Sequence, residues 1–298
     1  MNFAIRYLTD YSYGVEVVDN LNALRVKPAA NDRQRCDEFN VLLNPEVRLH
    51  RHADYFGTEV VEFEVSEPHR HLTIDVRARV TTKPPLDPPQ ATWEALGETG
   101  YCEAGGEFLL QTDDAVGHET LRELFATARA AANPLATLML VSDLIPDRFE
   151  YRKGATYVDS TIEHLLDLGA GVCQDFVHLG LCLLRHHGIA ARYVSGYLFA
   201  GEGGAGEELV EVDTHAWLEA LLPVLGGEPV WIGADPTNRG LAGENHVKIG
   251  HGRHYPDVPP IKGVYRGPAS AECDARVTMT RLSGVDRSQP LGVHDPTR

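Results

Sequence analysis

Apolar and polar residues alternate with a period of two through most of the first eighty residues. Glu59-Val60-Val61-Glu62-Phe63-Glu64-Val65 and Leu72-Thr73-Ile74-Asp75-Val76-Arg77-Ala78-Arg79-Val80 are the clearest runs, and this is the pattern of half-buried strands. Asn44-Pro45, Phe56-Gly57 and Glu67-Pro68 punctuate them as turns. The pattern predicts a small antiparallel β-sandwich over residues 1–85. Lys83-Pro84-Pro85-Leu86-Asp87-Pro88-Pro89 cannot continue a central strand and sets the first boundary.

Residues 86–118 show little periodicity and read as a connector, followed by a second domain over 119–298. Leu121, Leu124, Phe125, Ala128 and Ala131 follow helical spacing. Asn133-Pro134 supplies an N-cap and first-turn pair for a second helix, which Pro146 is expected to end. Ser160-Thr161-Ile162-Glu163 has the capping-box form and opens a short helix that Gly169 can close. The next helix is expected from Val172 to His187, with Phe176, Leu179, Gly180, Leu183 and Leu184 inward and Gly188 at its end. Strand-like segments follow at Ala191 to Phe199, His215 to Leu222 and Val230 to Asp235. A helical half followed by a strand-rich half is an α+β arrangement. Gly201 to Glu208 reads as a flexible hairpin connection, the Gly- and Pro-rich stretch from Asn245 to Gly267 as a loop wrapping the domain, and the polar tail after Ser283 as disordered.

Composition narrows the function. The chain has 298 residues, 43% of them hydrophobic, enough to bury a substantial core. Its 27 Lys+Arg against 43 Asp+Glu give a net charge of -16, which disfavours nucleic acid and anionic membrane surfaces as partners. No run approaches the length of a membrane span, and the N-terminal segment turns polar too early for a signal peptide. The five cysteines are scattered and form no C-x-x-C pair, so a disulfide framework is not expected and the location expected is cytoplasmic.

The residues with most chemical content lie in three ordered motifs: Gly169-Ala170-Gly171-Val172-Cys173-Gln174-Asp175-Phe176, Asp213-Thr214-His215-Ala216-Trp217, and Gly233-Ala234-Asp235-Pro236-Thr237. Cys173 falls at the start of a helix, where unpaired amide N–H groups and the positive end of the helix dipole stabilise negative charge on a sulfur. The same amides can hold a tetrahedral oxyanion, so a nucleophile placed there has two of the three requirements for acyl transfer. Strand alternation puts His215, Trp217 and Glu219 on one face and Ala216, Leu218 and Ala220 on the other. Asp235 ends a strand directly before a proline, a position that also suits a turn former. Asp175 reads as structural, holding the first turn, and Cys182 as a core residue of the same helix. Gln174, Tyr197 and Trp217 are candidates for an oxyanion donor or cleft wall. His50 with His52, or His69 with His71, could each point two imidazoles one way, but neither pair has a third ligand, so no metal site is expected.

The four motifs, with Gly188 to Leu198 between the first two, resemble the transglutaminase-like superfamily of cysteine enzymes. Within it they are similar to the bacterial proteins that carry an extra N-terminal β domain. The likeness is strong from Phe149 to Gly267 and weaker over the first 85 residues. It implies a papain-like core whose Cys helix packs on an antiparallel sheet that supplies the other two residues, Cys173 as nucleophile, His215 as base, and Asp235 as the carboxylate that orients it. The implied reaction is acyl transfer on an amide or peptide substrate through a thioester, with no cofactor. Arylamine acetyl transfer uses the same residue types, but its nucleophile does not follow a whole β domain. Protein-glutamine cross-linking and a non-catalytic peptide-binding module are the alternatives, and neither the substrate nor the oligomeric state follows from the sequence.

Overall fold

The computed structural model describes residues 1–111, 117–201, 208–268 and 270–283. Its dominant strand is β1 (Asn2–Leu24), 23 residues long. Its first half pairs antiparallel with β5 (His69–Thr82) on one side and β14 (Ala271–Arg281) on the other. Its second half pairs with β4 (Glu59–Val65) and β13 (Ile261–Arg266). The register shifts between Ser12 and Val17 and again between Val18 and Leu21, with Asp19 at φ 49°. Such irregularities bend a strand and increase its twist, so one strand serves two layers that close over a common core. β2 (Gln34–Asn44) extends the first layer beyond β5, and β3 (His50–Ala53) pairs with β4. Phe3, Phe63, Leu72 and Ile74 fill the space between the layers.

The helical core begins after the proline-rich segment with α1 (Thr99–Gly105), in a stretch of short helical turns where the sequence suggests only a connector. α2 (Glu119–Arg129) buries Leu121, Leu124, Phe125 and Ala128 as their spacing predicts, and ends before Ala131. α3 (Pro134–Arg148) is capped by Asn133, whose side chain accepts from the Ala136 N–H at 2.9 Å. It runs two residues past Pro146. A proline in the last turn removes one backbone hydrogen bond without stopping the helix, because the Phe149 N–H still closes on the Ile145 carbonyl. α4 (Ile162–Leu168) is capped by Thr161 rather than Ser160 and closed by Gly169 at φ 69°.

α5 (Cys173–His186) is the central helix. It lies on the sheet β11-β10-β8-β12, made of β8 (Ala191–Leu198), β10 (Thr214–Leu222), β11 (Val230–Ala234) and β12 (His246–Gly252). Ala216, Leu218, Ala220 and Leu222 of β10 join Phe176, Leu179, Leu183 and Leu184 of α5 in one apolar cluster. Gly180 is where helix and strand come closest: a Cβ there would sit 2.6 Å from Leu218 Cδ2. A short parallel pair, β6 (Glu150–Tyr151) with β7 (Ala170–Gly171), leads into α5.

The α+β reading holds, and strand pairing crosses the expected division of the chain into 1–85, 86–118 and 119–298. β13 and β14 come from the C-terminal end and pair with β1, and β9 (Glu208–Val212) pairs with β14. Three strands from the presumed second domain thus complete the N-terminal sheet. The stretch from Asn245 to Gly267 is likewise no simple loop, since it supplies β12 and β13. The hairpin connection expected within Gly201 to Glu208 falls on residues 202–207, and the tail on 284–298, both outside the described residues. Tyr197, Phe199, Val247 and Ile249 of the core sheet region sit in the same apolar cluster as Phe3 and Phe63.

This interleaving makes a specific prediction. A chain beginning at residue 90 strips β1 from β13 and β14 and uncovers Tyr197, Phe199, Val247 and Ile249. We expect it to lose cooperative unfolding and to bind a hydrophobic dye. A sharp thermal transition in that shortened chain, measured by circular dichroism, would show that the core folds on its own.

Candidate active site

Cys173 occupies the first position of α5, with Val172 in extended conformation ahead of it. The first helical hydrogen bonds run from the Asp175 and Phe176 N–H groups to the Val172 carbonyl at 3.0 and 3.1 Å. The Cys173 and Gln174 amides therefore precede the helical ladder and are the donors available at this end. Asp175 is buried and its Oδ2 accepts from the Val172 N–H at 2.8 Å and from the Thr156 hydroxyl. It ties the turn before the helix to the 150s loop, which is the structural role its position suggests. Gly171 is needed beside it, because a Cβ there would lie 2.8 Å from Asp175 Oδ2 and from Leu165 Cδ1.

His215 stands near the start of β10, on the face turned away from the apolar contact with α5. Its Nε2 lies 2.8 Å from Asp235 Oδ2, which leaves Nδ1 free of that bond, and the Cys173 side chain is close enough to raise the ring's pKa. Asp235 is only 2% exposed and each of its oxygens has a separate task. Oδ1 accepts from the Thr237 and Asn238 amides at 2.9 and 3.2 Å, forming the turn expected of an Asp before Pro. Oδ2 receives His215, the Asn238 side-chain amide at 2.8 Å and His246 Nε2 at 3.1 Å. The His246 tautomer is fixed by its other nitrogen: Gly243 N–H can only donate, at 3.1 Å to Nδ1, so the proton sits on Nε2.

His246 and Asn238 belong to the arrangement although the sequence reading did not single them out. Asn238 closes the Asp235-Pro236-Thr237-Asn238 turn, so an Asx-type turn at Asp235 was the signal available for it. His246 has no comparable signal, because its approach depends on the pairing of β12 with β8. His215, Asp235 and His246 also bring potential metal-ligand atoms within 4.8 Å of one another. Hydrogen bonds from both imidazoles to Asp235 Oδ2 are what bring these atoms together.

The remaining candidates separate clearly. Gln174 donates its amide to the Val158 carbonyl at 2.8 Å, so its side chain braces the neighbouring loop instead of facing an oxyanion. Tyr197 is 1% exposed and its hydroxyl donates to the Val26 carbonyl at 3.0 Å. It is a core residue at the junction with the N-terminal layers and lines no cleft. Trp217 lies behind His215, ring centroids 6.3 Å apart and nearly parallel, and meets His246 edge-on at 5.2 Å. It supports the two imidazoles from beneath. Cys182 is buried, as expected. His69 bonds Asn20 Nδ2 and the Glu67 carbonyl, and His50 and His52 are exposed on β3.

Electrostatics follow from these contacts. Burial opposes charge on His215, but the hydrogen bonds and negative charge of Asp235 and the nearby Cys173 outweigh it and push its pKa up to about 9. Burial likewise opposes charge on Asp235, yet its donors hold its carboxyl far below the usual range. The raised His215 pKa stabilises the fold fully below its unfolded value of 6.5, and that contribution is lost as pH rises through about 9. Observing the His215 ring by NMR across pH 5 to 10, we expect a midpoint near 9 in the native protein and a lower one in Asp235→Asn. A midpoint near that of a free imidazole in the native chain would mean that the two groups do not share the geometry described.

Comparison with known proteins places the chain. The profile of the bacterial transglutaminase-like N-terminal region matches residues 3–81, and that of the transglutaminase-like superfamily matches residues 123–236. An uncharacterized protein of Mycobacterium leprae is 34% identical over 279 residues, covering 92% of this chain and 97% of its own. One of Mycobacterium tuberculosis is 31% identical over 294 residues, covering 95% and 93%. A protein-glutamine gamma-glutamyltransferase of Pseudomonas aeruginosa is 29% identical over 156 residues, which span 50% of this chain but 22% of that one. Among solved structures, a candidate cysteine protease from Cytophaga hutchinsonii superimposes with a TM-score of 0.71 at 20% identity, over 94% of this chain and 98% of that one; at that identity the likeness speaks for the fold. With the Cys-first helix, the sheet beside it and both profiles in order along the sequence, this chain belongs to the transglutaminase-like superfamily, in the branch with the bacterial N-terminal region.

Proposed function

We propose that this protein is a cysteine-dependent acyl-transfer enzyme that hydrolyses an amide or peptide bond, with Cys173 as nucleophile, His215 as proton carrier and Asp235 as the group that positions His215. The observation carrying the proposal is the His215–Asp235 pair: a buried carboxylate holds Nε2 at 2.8 Å while the other edge of the ring is within reach of Cys173. In the proposed cycle His215 takes the Cys173 thiol proton, the sulfur attacks the carbonyl carbon and the carbonyl π electrons move to oxygen, where the amides at the start of α5 can receive the charge. Collapse of this intermediate breaks the C–N bond, and the His215 imidazolium gives its proton to the departing amine. Water then attacks the thioester with His215 as base, releasing the acid and restoring the thiol. Asp235 stays ionised throughout, and His246 and Asn238 keep its Oδ2 aimed.

Half-exposed Tyr151 and exposed Tyr157 and Val158 give the Cys173 side of the molecule an apolar rim, which suits a substrate with a non-polar side chain near the scissile bond. Transfer to an amine instead of water is the second reading, favoured by the glutamyltransferase among the relatives. Both routes pass through the same thioester.

Limited iodoacetamide labelling at neutral pH followed by peptide mapping should find the adduct first at Cys173; preferential labelling of exposed Cys102 or Cys273 would argue against it as nucleophile. His215→Ala is expected to retain its fold and to lose turnover by about 10² or more, the usual loss for a positioned base. Full activity in a folded His215→Ala protein rules the mechanism out. Mass spectrometry of a peptide library incubated with the protein, with and without a primary amine, distinguishes the two reactions: new acids indicate hydrolysis, and amine adducts indicate transfer. Neither product, with Cys173 unlabelled, would leave the peptide-binding module as the reading.

A further inference from the structure

The face of the core sheet turned away from α5 carries a second, chemically different constellation. A cavity of about 510 Å³ opens between this face and loops of the N-terminal layers, and Cys173, His215 and Asp235 are not in its walls. That size suits a small organic molecule. Its floor is Glu219, on the same face of β10 as His215 and Trp217, with Arg192 and Lys248 both directed at one carboxylate oxygen, each at 2.6 Å. Their side chains are 13 to 15% exposed. The Arg192 guanidinium also covers the Trp231 ring at 3.9 Å and donates to His251 Nε2 at 3.2 Å. Burial opposes ionisation of Glu219, but the two cations hold its pKa down to about 2, and burial drives His251 down to about 3. Two cations therefore face one anion beside a neutral imidazole.

The N-terminal side adds to this excess. Arg33 and Lys83 line the opening, and among the described residues Asp32 is the one further acid in the lining. Four Lys/Arg side chains against two carboxylates leave two surplus positive charges at one cavity, in a chain whose net charge is -16. Among the described residues, neither the enclosed Arg33 Nε nor the buried Thr58 hydroxyl of the wall has a hydrogen-bond partner. An enclosed guanidinium N–H with nothing to bond costs free energy that a bound acceptor would recover. Trp217, Trp231 and Phe56 give the same walls aromatic surface.

We propose that this cavity binds a small organic dianion, a phosphate monoester or a dicarboxylate, with its charged end at Arg33 and Lys83 and its apolar part against the aromatic wall. The surplus of two charges selects a dianion over a monoanion, and the guanidinium fork of Arg33 matches either a carboxylate or a phosphate. The cavity shares Trp217 and His246 with the surroundings of Asp235, but Cys173, His215 and Asp235 are outside its walls and binding there does not depend on their reaction.

The test uses the full chain and reads binding alone. Phenyl phosphate and phthalate are titrated by calorimetry and by tryptophan fluorescence, with benzoate and benzamide as the monoanion and the neutral control. At least one dianion should bind and perturb the fluorescence, more tightly than benzoate, and benzamide should not. Preference between phenyl phosphate and phthalate then identifies the headgroup. Arg33→Gln and Lys83→Gln, both on loops at the opening, should keep the native thermal midpoint and weaken binding about tenfold each, as for loss of one charge-assisted hydrogen bond. The proposal is overturned by any of three results: neither dianion binds at millimolar concentration, binding is undiminished in both variants, or benzamide binds as well as the dianions.

Discussion

Everything at the Cys173 site hangs on one buried carboxylate. Removing Asp235 from water is costly unless its charge is met by donors on all sides, and five hydrogen bonds from four residues meet it. Those donors come from three places: His215 on β10, His246 on β12, and the turn that follows β11. The carboxylate therefore fixes the relative positions of three strands at one end of the sheet. It also decides which nitrogen of His215 is left for the sulfur, because Nε2 is taken. The same contacts that make burial tolerable set the tautomer that the proposed reaction needs.

β10 carries two kinds of chemistry because a strand has two faces. Its Ala216, Leu218, Ala220 and Leu222 face is apolar and supports α5, which puts Cys173 at a fixed height above the sheet end. Its other face runs His215, Trp217, Glu219, from an imidazole through an indole to a buried acid. Trp217 touches both ends of that series: it stands behind His215 and His246, and it lines the cationic cavity. Gly196 of β8 makes room for it, since a Cβ there would come within 2.5 Å of the indole. A larger residue at this one position would disturb both sites at once.

How much of this could be read from the sequence depended on how local each signal was. The start of α5, the alternation along β10 and the Asp-Pro turn are set by neighbours in the chain, and all three lie where the pattern puts them. The four ordered motifs carried the family resemblance for the same reason. Pairing partners were not legible. Ala271 to Arg281 alternates too weakly to announce a strand, with both faces exposed from Glu272 to Arg276, and nothing local says that its partner is β1, some 260 residues earlier. Tyr197 went astray on this account: as an aromatic in a strand beside the nucleophile helix it resembled a cleft residue, but the N-terminal layers cover that end of β8. His246 was invisible because its role exists only once β12 has docked beside β8.

That docking gives the N-terminal layers a part in the site without giving them a reacting group. β12 is an edge strand of the core sheet, and an edge strand leaves alternate backbone groups unpaired. Gln34, buried at the start of β2, fills that place: its side-chain amide donates to the Lys248 carbonyl at 2.7 Å and its oxygen accepts the Lys248 N–H at 2.8 Å. The Ala29 N–H donates to the same carbonyl at 2.8 Å. One side chain thus acts as a short extra strand and pins β12 two residues from His246. His246 in turn bears on Asp235, and Asp235 on His215. The chain of contacts from Gln34 to the histidine is made of hydrogen bonds to groups that are buried or nearly so, which leaves little freedom for any link to move alone. On this view Gln34, with the Ala29 amide beside it, is what holds the end of β12, and through it the Asp235 carboxylate, in place.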